Sequence, residues 1–342
     1  MNIVVFTNGN VDIGFGHISR TLNVANYLKK IGSTVKFCVP EECTYKNQIS
    51  DYSFEVIVLK TFSETQESID KFRKCCDTVI IDTVEKDYRS LEWLSRLNLF
   101  IVSITLFDFS NLNRYENISF YPTIKPTKVD IQGDVEVFSG RDYLTFNPLF
   151  ENYINLNHRE KAKKVLLTMG GTDPFGLTLR VLNSIKDLSD FNFTILLSEN
   201  SPSYSQVKLI VDKHSHLTLL SFVLDMPKRM AESDLIILNG GLTRYESCLV
   251  GTPFVAISIH QVQFEITKEL TDLVGAINLG VFNEIDDNLI KSSLLAILLD
   301  SNKRKSIALK MRSLLDVKGI ERICRIIDDK YLEYYEKTDK AR

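Results

Sequence analysis

The 342-residue sequence predicts an α/β protein of two doubly wound, Rossmann-like domains. Three observations carry that prediction. Short apolar runs alternate with amphipathic stretches, the alternation weakens once mid-chain and then restarts, and the length exceeds one typical core. The domains are expected at 1–150 and 151–342.

In the first half, residues 3–7 read as a strand and 17–31 as a helix with Ile18, Leu22, Ala25 and Leu28 on one face. Residues 35–39 and 54–59 are further strands. Thr78–Asp82 is a buried strand ending in a carboxylate, and 99–105 follows after another helix. Strands separated by helices imply a parallel sheet. Right-handed crossovers then gather the loop after each strand along one edge, where such sheets bind ligands.

From 115 to about 159 the period is lost around Pro122, Pro126 and Pro148, which reads as the end of the first domain plus a linker. Strands resume at 164–169, 193–197, 217–222, 234–239 and 254–259, each with a helix behind it. Helices are expected at 286–299 and 302–315, and the charged, tyrosine-rich tail from Lys330 reads as a fraying helix. Two such domains are expected to present their strand-end loops to each other across a cleft, the GT-B architecture.

Composition narrows the partners. With 44% hydrophobic and 25% charged residues and a net charge of −3, the chain offers no electrostatic case for nucleic acid or an acidic membrane. The start, Met1-Asn2-Ile3-Val4-Val5-Phe6, reads as a strand and not as a leader. The run at 294–299 falls far short of the roughly 20 apolar residues that span a bilayer. A cytoplasmic protein is expected. Cys38, Cys43, Cys75, Cys76, Cys248 and Cys324 form no C-x-x-C pair and no zinc-like spacing with histidine, so reduced thiols, no metal and no cofactor are expected.

Four loops carry candidate chemistry. Asp12-Ile13-Gly14-Phe15-Gly16-His17-Ile18-Ser19-Arg20 joins the first strand to the first helix. Gly14 and Gly16 let backbone approach a ligand, the helix N-terminus offers N–H groups to an anion, and His17 suits proton transfer. The third glycine of G-x-G-x-x-G is missing, which argues against a dinucleotide. Gly170-Gly171-Thr172-Asp173-Pro174 makes a tight turn into a capped helix. In Gly240-Gly241-Leu242-Thr243-Arg244-Tyr245-Glu246, helix amides and the Thr243 hydroxyl suit a diphosphate. Glu246 suits either a helix cap or vicinal ribose hydroxyls, and Arg244 either phosphate or solvent. His260 and Gln263, after the next strand, are placed to reach sugar or phosphate.

These residues, in this order, resemble the nucleotide-sugar hydrolase family of the pseudaminic acid pathway (PseG) and its spore-coat polysaccharide relatives. Ile13-Gly14-Phe15-Gly16-His17 matches that family's first loop and Met169-Gly170-Gly171-Thr172-Asp173 its second. Gly140 and 143–150 resemble its segment crossing between domains. The loop 240–246 is also shared with MurG-type transferases. The resemblance implies UDP held mainly by the second domain, the sugar facing the first, and His17 acting on a water that attacks the anomeric carbon with inversion. Three places depart from the family: Asp82-Thr83-Val84 replaces Asp-His-Tyr, Val262-Gln263 replaces Asn-Gln, and Asn147 replaces an Arg.

Hydrolysis of a UDP-activated amino sugar, for surface-glycan or nonulosonic acid synthesis, is the first reading. The alternative is an inverting GT-B glycosyltransferase in which His17 deprotonates an acceptor hydroxyl, with peripheral membrane contact open to it. A binding protein without turnover and a 2-epimerase complete the set. Leu106-Phe107-Asp108-Phe109 reads as acceptor surface or as core. UDP itself is implied by the resemblance and not by the spacing.

Overall fold

The computed structural model describes residues 1–10, 13–63, 65–105, 113–126, 134–154, 159–221, 223 and 225–340. The stretch 106–109, read above as acceptor surface or core, lies outside them, as do Asp12 of the first loop and Phe222 of an expected strand. The chain divides into two compact units, Met1–Asn147 with Lys318–Arg342, and Pro148–Val317.

The first unit runs β1 Asn2–Thr7, α1 Gly16–Lys30, β2 Thr34–Pro40, α2 Lys46–Asp51, β3 Glu55–Leu59, α3 Gln66–Cys75, β4 Thr78–Asp82, α4 Glu85–Ser90, β5 Phe100–Ile104, β6 Ile118–Tyr121 and β7 Glu136–Ser139. The seven strands lie in the order β3-β2-β1-β4-β5-β6-β7, all neighbours parallel. Covered on both faces, β4 and β5 are continuous buried runs instead of alternating ones. β1 has β2 on one side and β4 on the other. Its C-terminal end is therefore the point where strand order reverses, and Thr7 pairs there with Asp82.

The second unit runs β8 Lys164–Thr168, α5 Leu177–Ile185, β9 Asn192–Leu196, α6 Tyr204–Val211, β10 Leu217–Leu220, α7 Met226–Glu232, β11 Leu235–Asn239, α8 Thr243–Val250, β12 Phe254–Ser258, α9 Gln261–Val274, β13 Ile277–Val281, α10 Asp287–Leu299 and α11 Ser301–Arg312. Its parallel sheet has the order β10-β9-β8-β11-β12-β13, with the reversal between β8 and β11.

The last helix, α12 Gly319–Lys340, departs from the expected division at 150/151. Instead of staying with the second domain, Ile320, Ile323, Cys324 and Ile327 enter the core of the first unit beside Ile18, Leu22 and Phe100. Tyr334 packs on Phe100 with ring centroids 5.6 Å apart, and the Tyr335 hydroxyl donates to the Asp77 carbonyl at 3.0 Å. The tyrosines of the tail, Tyr331, Tyr334 and Tyr335, are thus half-buried anchors packed against that core. All six cysteines are free thiols. Among the described residues, no helix is long and apolar enough to cross a membrane.

Candidate functional site

In the first unit, His17 sits in the first turn of α1 and Arg20 one turn on, so both side chains leave the same face. That face meets the end of β4. His17 Nδ1 lies 2.6 Å from Asp82 Oδ1. Arg20 grips the same carboxylate with two donors, Nε to Oδ2 at 2.5 Å and Nη2 to Oδ1 at 2.6 Å. Asp82 is fully buried and Arg20 nearly so, while a fifth of the His17 side chain stays exposed.

Burial works against charge on Asp82, yet the Arg20 charge and hydrogen bonds, with the His17 contact, outweigh it and hold the carboxyl below its ordinary range. An ionised carboxylate only accepts hydrogen bonds. The His17 nitrogen facing it therefore carries the proton, and Nε2 is left as the basic nitrogen. The 3.2 Å approach of Arg20 Nη2 to His17 Nδ1 is then two donors converging on one oxygen. Arg20, expected at the substrate, is turned inward onto Asp82.

Gly14 has φ +80, and its N–H donates to the Asn10 carbonyl at 2.8 Å, which closes the turn. Gly16 opens α1, whose first turn holds no acidic residue and receives no side-chain cap. Beside it, buried Asn8 donates to Asp87 at 2.8 Å and Glu42 at 3.1 Å, and Thr83 donates to Asp87 at 3.1 Å.

In the second unit, the loops after β8 and β11 meet at the reversal point through Asn239. Its amide donates to the Met169 carbonyl at 2.9 Å, and its oxygen accepts the Gly241 N–H at 3.0 Å. Gly170 adopts φ +96 against that amide. Gly171 is exposed and Thr172 half-buried. Asp173, grouped with the substrate contacts by its motif, is 1% exposed and caps α5: its oxygens accept the N–H groups of Leu177 at 3.0 Å and Thr178 at 2.6 Å. The helix begins at Leu177, later than Pro174 suggested, because Gly176 turns left-handed first.

Gly240 must be glycine because a Cβ there would overlap the Gln263 side chain and Thr267 of α9. Beyond it α8 starts at Thr243 without a side-chain cap, and Leu242 and Thr243 are half-buried at that end. Arg244 reaches neither solvent nor the helix mouth. Its guanidinium donates to the Gly240 and Gly241 carbonyls and to the Tyr245 hydroxyl, and stacks 4.2 Å from the Tyr245 ring centroid. It shapes the turn from beneath. Burial pushes Glu246 up to about 7, against an opposing hydrogen bond from Thr243. His260 caps α9 by accepting the Gln263 N–H on Nδ1 at 3.2 Å, while Gln263 Oε1 accepts the Ile259 N–H at 2.6 Å.

The candidate site residue that motif reading gave no role is Asp82, which His17 and Arg20 both meet. Its signal was present as a carboxylate closing an otherwise apolar strand, a costly position unless something pairs with it.

No family model matches the chain. It is 25% identical over 349 residues to the spore coat polysaccharide biosynthesis protein SpsG of Bacillus subtilis, covering 97% of this chain and 99% of that protein. It is 24% identical over 267 residues to the UDP-2,4-diacetamido-2,4,6-trideoxy-beta-L-altropyranose hydrolase of Campylobacter jejuni, covering 75% and 91%. The solved structure of MurG from Acinetobacter baumannii matches with a TM-score of 0.68 at 16% identity, over 96% of this chain and all of that one. The fold is GT-B. The resemblance carried by the first two glycine loops is thus found again along the chain, to the spore-coat protein and to the hydrolase alike.

Proposed function

We propose that the protein is a nucleotide-sugar enzyme of surface-polysaccharide synthesis that hydrolyses a UDP-activated amino sugar with inversion. The carrying observation is the 2.6 Å contact between His17 and the Arg20-clamped Asp82. A carboxylate kept ionised and buried orients the imidazole and favours the imidazolium that proton uptake creates. In this reading Nε2 takes a proton from water as the water oxygen bonds to the anomeric carbon, and the bond from that carbon to the diphosphate oxygen breaks. UDP leaves with the electron pair. The amides at the start of α8 and the Thr243 hydroxyl stabilise its charge, and Glu246 accepts from the ribose. The name of the Campylobacter relative supports both UDP and water as partners of such a reaction.

Arg20, Asp173 and Arg244 act here by positioning other groups, and His260 and Gln263 by shaping the α9 entry beside Gly240. A second reading, transfer to an acceptor hydroxyl, is favoured by one departure. Thr83 and Val84 stand where the hydrolase family carries His-Tyr, and the Thr83 hydroxyl is taken by Asp87.

The test is incubation of purified protein with UDP-amino sugars. Release of UDP and free sugar without acceptor supports hydrolysis. Release only after a glycan or lipid-linked sugar is supplied rejects hydrolysis for transfer.

A further inference from the structure

The net charge of −3 conceals an uneven distribution within the second unit. From 288 to 315 the chain carries Lys291, Lys303, Arg304, Lys305, Lys310 and Arg312 against one acid, Asp300. α11 divides its share of these by face. Arg304, Ile307, Ala308 and Met311 are buried, and the Arg312 side chain packs beside Gly251. The helical repeat stacks Asn302, Lys305, Ser306, Leu309 and Ser313 along the opposite face, and all are exposed. Lys305 borders Leu309 on one flank of that face, and exposed Lys303 and Lys310 border it on the other. Leu299, the last residue of α10, stands at the N-terminal end of the helix.

Two kinds of unmet interaction coincide on this face. Leu299 is 75% exposed and Leu309 58%. Among the described residues, no carboxylate lies within ion-pair distance of Lys303, Lys305 or Lys310. The nearby acids are engaged otherwise. Asp300 caps α11 by accepting the Lys303 N–H at 2.8 Å. Asp272 of α9, the helix packed beside α11, pairs with Lys268 at 2.6 Å.

Charge and apolar surface together select the occupant. A nucleic acid or an acidic protein surface would meet the lysines and leave the leucines in water. A second copy of the chain, meeting this face through a twofold axis, would set lysine against lysine. An anionic bilayer offers negative headgroups first and an apolar medium just behind them, the order in which lysine stems and leucines can use both. The helix is also well placed. Arg304 meets the Arg159 and Glu160 carbonyls ahead of β8, Arg312 lies beside Gly251 ahead of β12, and Ile307 beside Gly275 ahead of β13. α11 therefore crosses the sheet at its strand N-terminal edge, and its outer face looks away from the glycine loops at the other edge.

We propose that the outer face of α11, with Leu299, docks on the surface of an anionic lipid bilayer. Lys303, Lys305 and Lys310 meet the headgroup charge, and Leu299 and Leu309 enter the headgroup boundary. The contact is peripheral and reversible, since three lysines and two leucines hold far less firmly than a membrane-spanning helix. It leaves the glycine loops of the second unit uncovered, and it does not depend on the reaction assigned to them.

The test is co-sedimentation of the full-length protein with vesicles of phosphatidylcholine alone and of phosphatidylcholine mixed with phosphatidylglycerol, at low and at high salt. Wild type is compared with a triple variant, Lys303→Gln with Lys305→Gln and Lys310→Gln, and with the pair Leu299→Ser and Leu309→Ser. A control removes the same charge from exposed lysines elsewhere, as Lys30→Gln with Lys213→Gln and Lys228→Gln. Circular dichroism checks that each variant is folded. The expected result is binding to the anionic vesicles only, lowered by salt, weakened by about tenfold or more in the triple variant and in the leucine pair, and unchanged in the control. Absent binding to anionic vesicles, equal binding by wild type and both α11 variants, or a matching loss in the control overturns the proposal. So does a dimer in sedimentation velocity that the leucine pair dissociates, because a second copy then covers the face.

Discussion

His17 Nδ1 and Asp82 Oδ1 stand 2.6 Å apart although the residues are 65 positions apart in the chain. The contact follows from topology. β1 and β4 are parallel neighbours with Thr7 opposite Asp82, so the helix leaving β1 lays its first turn over the end of β4.

Asp82→Asn keeps the shape of this contact and removes its charge. The amide no longer enforces a protonated Nδ1 or supports an imidazolium. Turnover is expected to fall by about 10²-fold or more with little change in UDP affinity. Steady-state rates beside UDP calorimetry check this; parallel losses in both would place Asp82 in the fold alone.

Arg20→Gln removes the counter-charge of a buried carboxylate, a change that typically costs about 3–5 kcal/mol. The native carboxyl lies below its ordinary value, so its stabilisation is present above the unfolded pKa of about 3.9 and is lost only as pH falls through the lowered native value. In the variant that acid limb moves to higher pH. Urea melts between about pH 3 and 7 would reveal the shift, and superimposable profiles would contradict it.

Glu246, pushed up to about 7, is half protonated near neutrality. If its carboxylate accepts from the ribose, UDP affinity rises with pH, by about tenfold between pH 6 and 8, and binding near pH 7 releases a proton. Glu246→Gln flattens the profile. Calorimetry in buffers of different ionisation enthalpy measures both effects.

Asp173→Ala strips two N–H groups at the start of α5 of their acceptor. A loss of about 1–2 kcal/mol is expected, with Asp173→Asn milder. Thermal melts measure the loss. Because the side chain is buried in its cap, added UDP should stabilise wild type and variant alike.

Much of this was legible in the sequence, for a physical reason. β1, β4, β8, β11 and β12 are buried on both faces, so continuous Val, Ile and Leu runs mark them within a residue or so. β6 and β7, four residues each, carry too little period to stand out around Pro122 and Pro126. β13 is a half-buried edge strand interrupted by Gly280. The glycine loops were readable because backbone approach demands glycine locally, as the packing of α9 on Gly240 demonstrates. Long-range pairing was not. Nothing local announces that Arg20 and Arg244 turn inward, that Asp173 is spent on its own helix, or that α12 returns to the first unit's core.

The most direct test of the central claim is single-turnover release of UDP from a UDP-amino sugar by wild type and His17→Ala, with UDP affinity measured in parallel. The account predicts a fall of about 10³-fold or more in release at unchanged UDP affinity. Release at the wild-type rate, or a loss of UDP binding that matches the loss of rate, would contradict a proton-transfer role for His17.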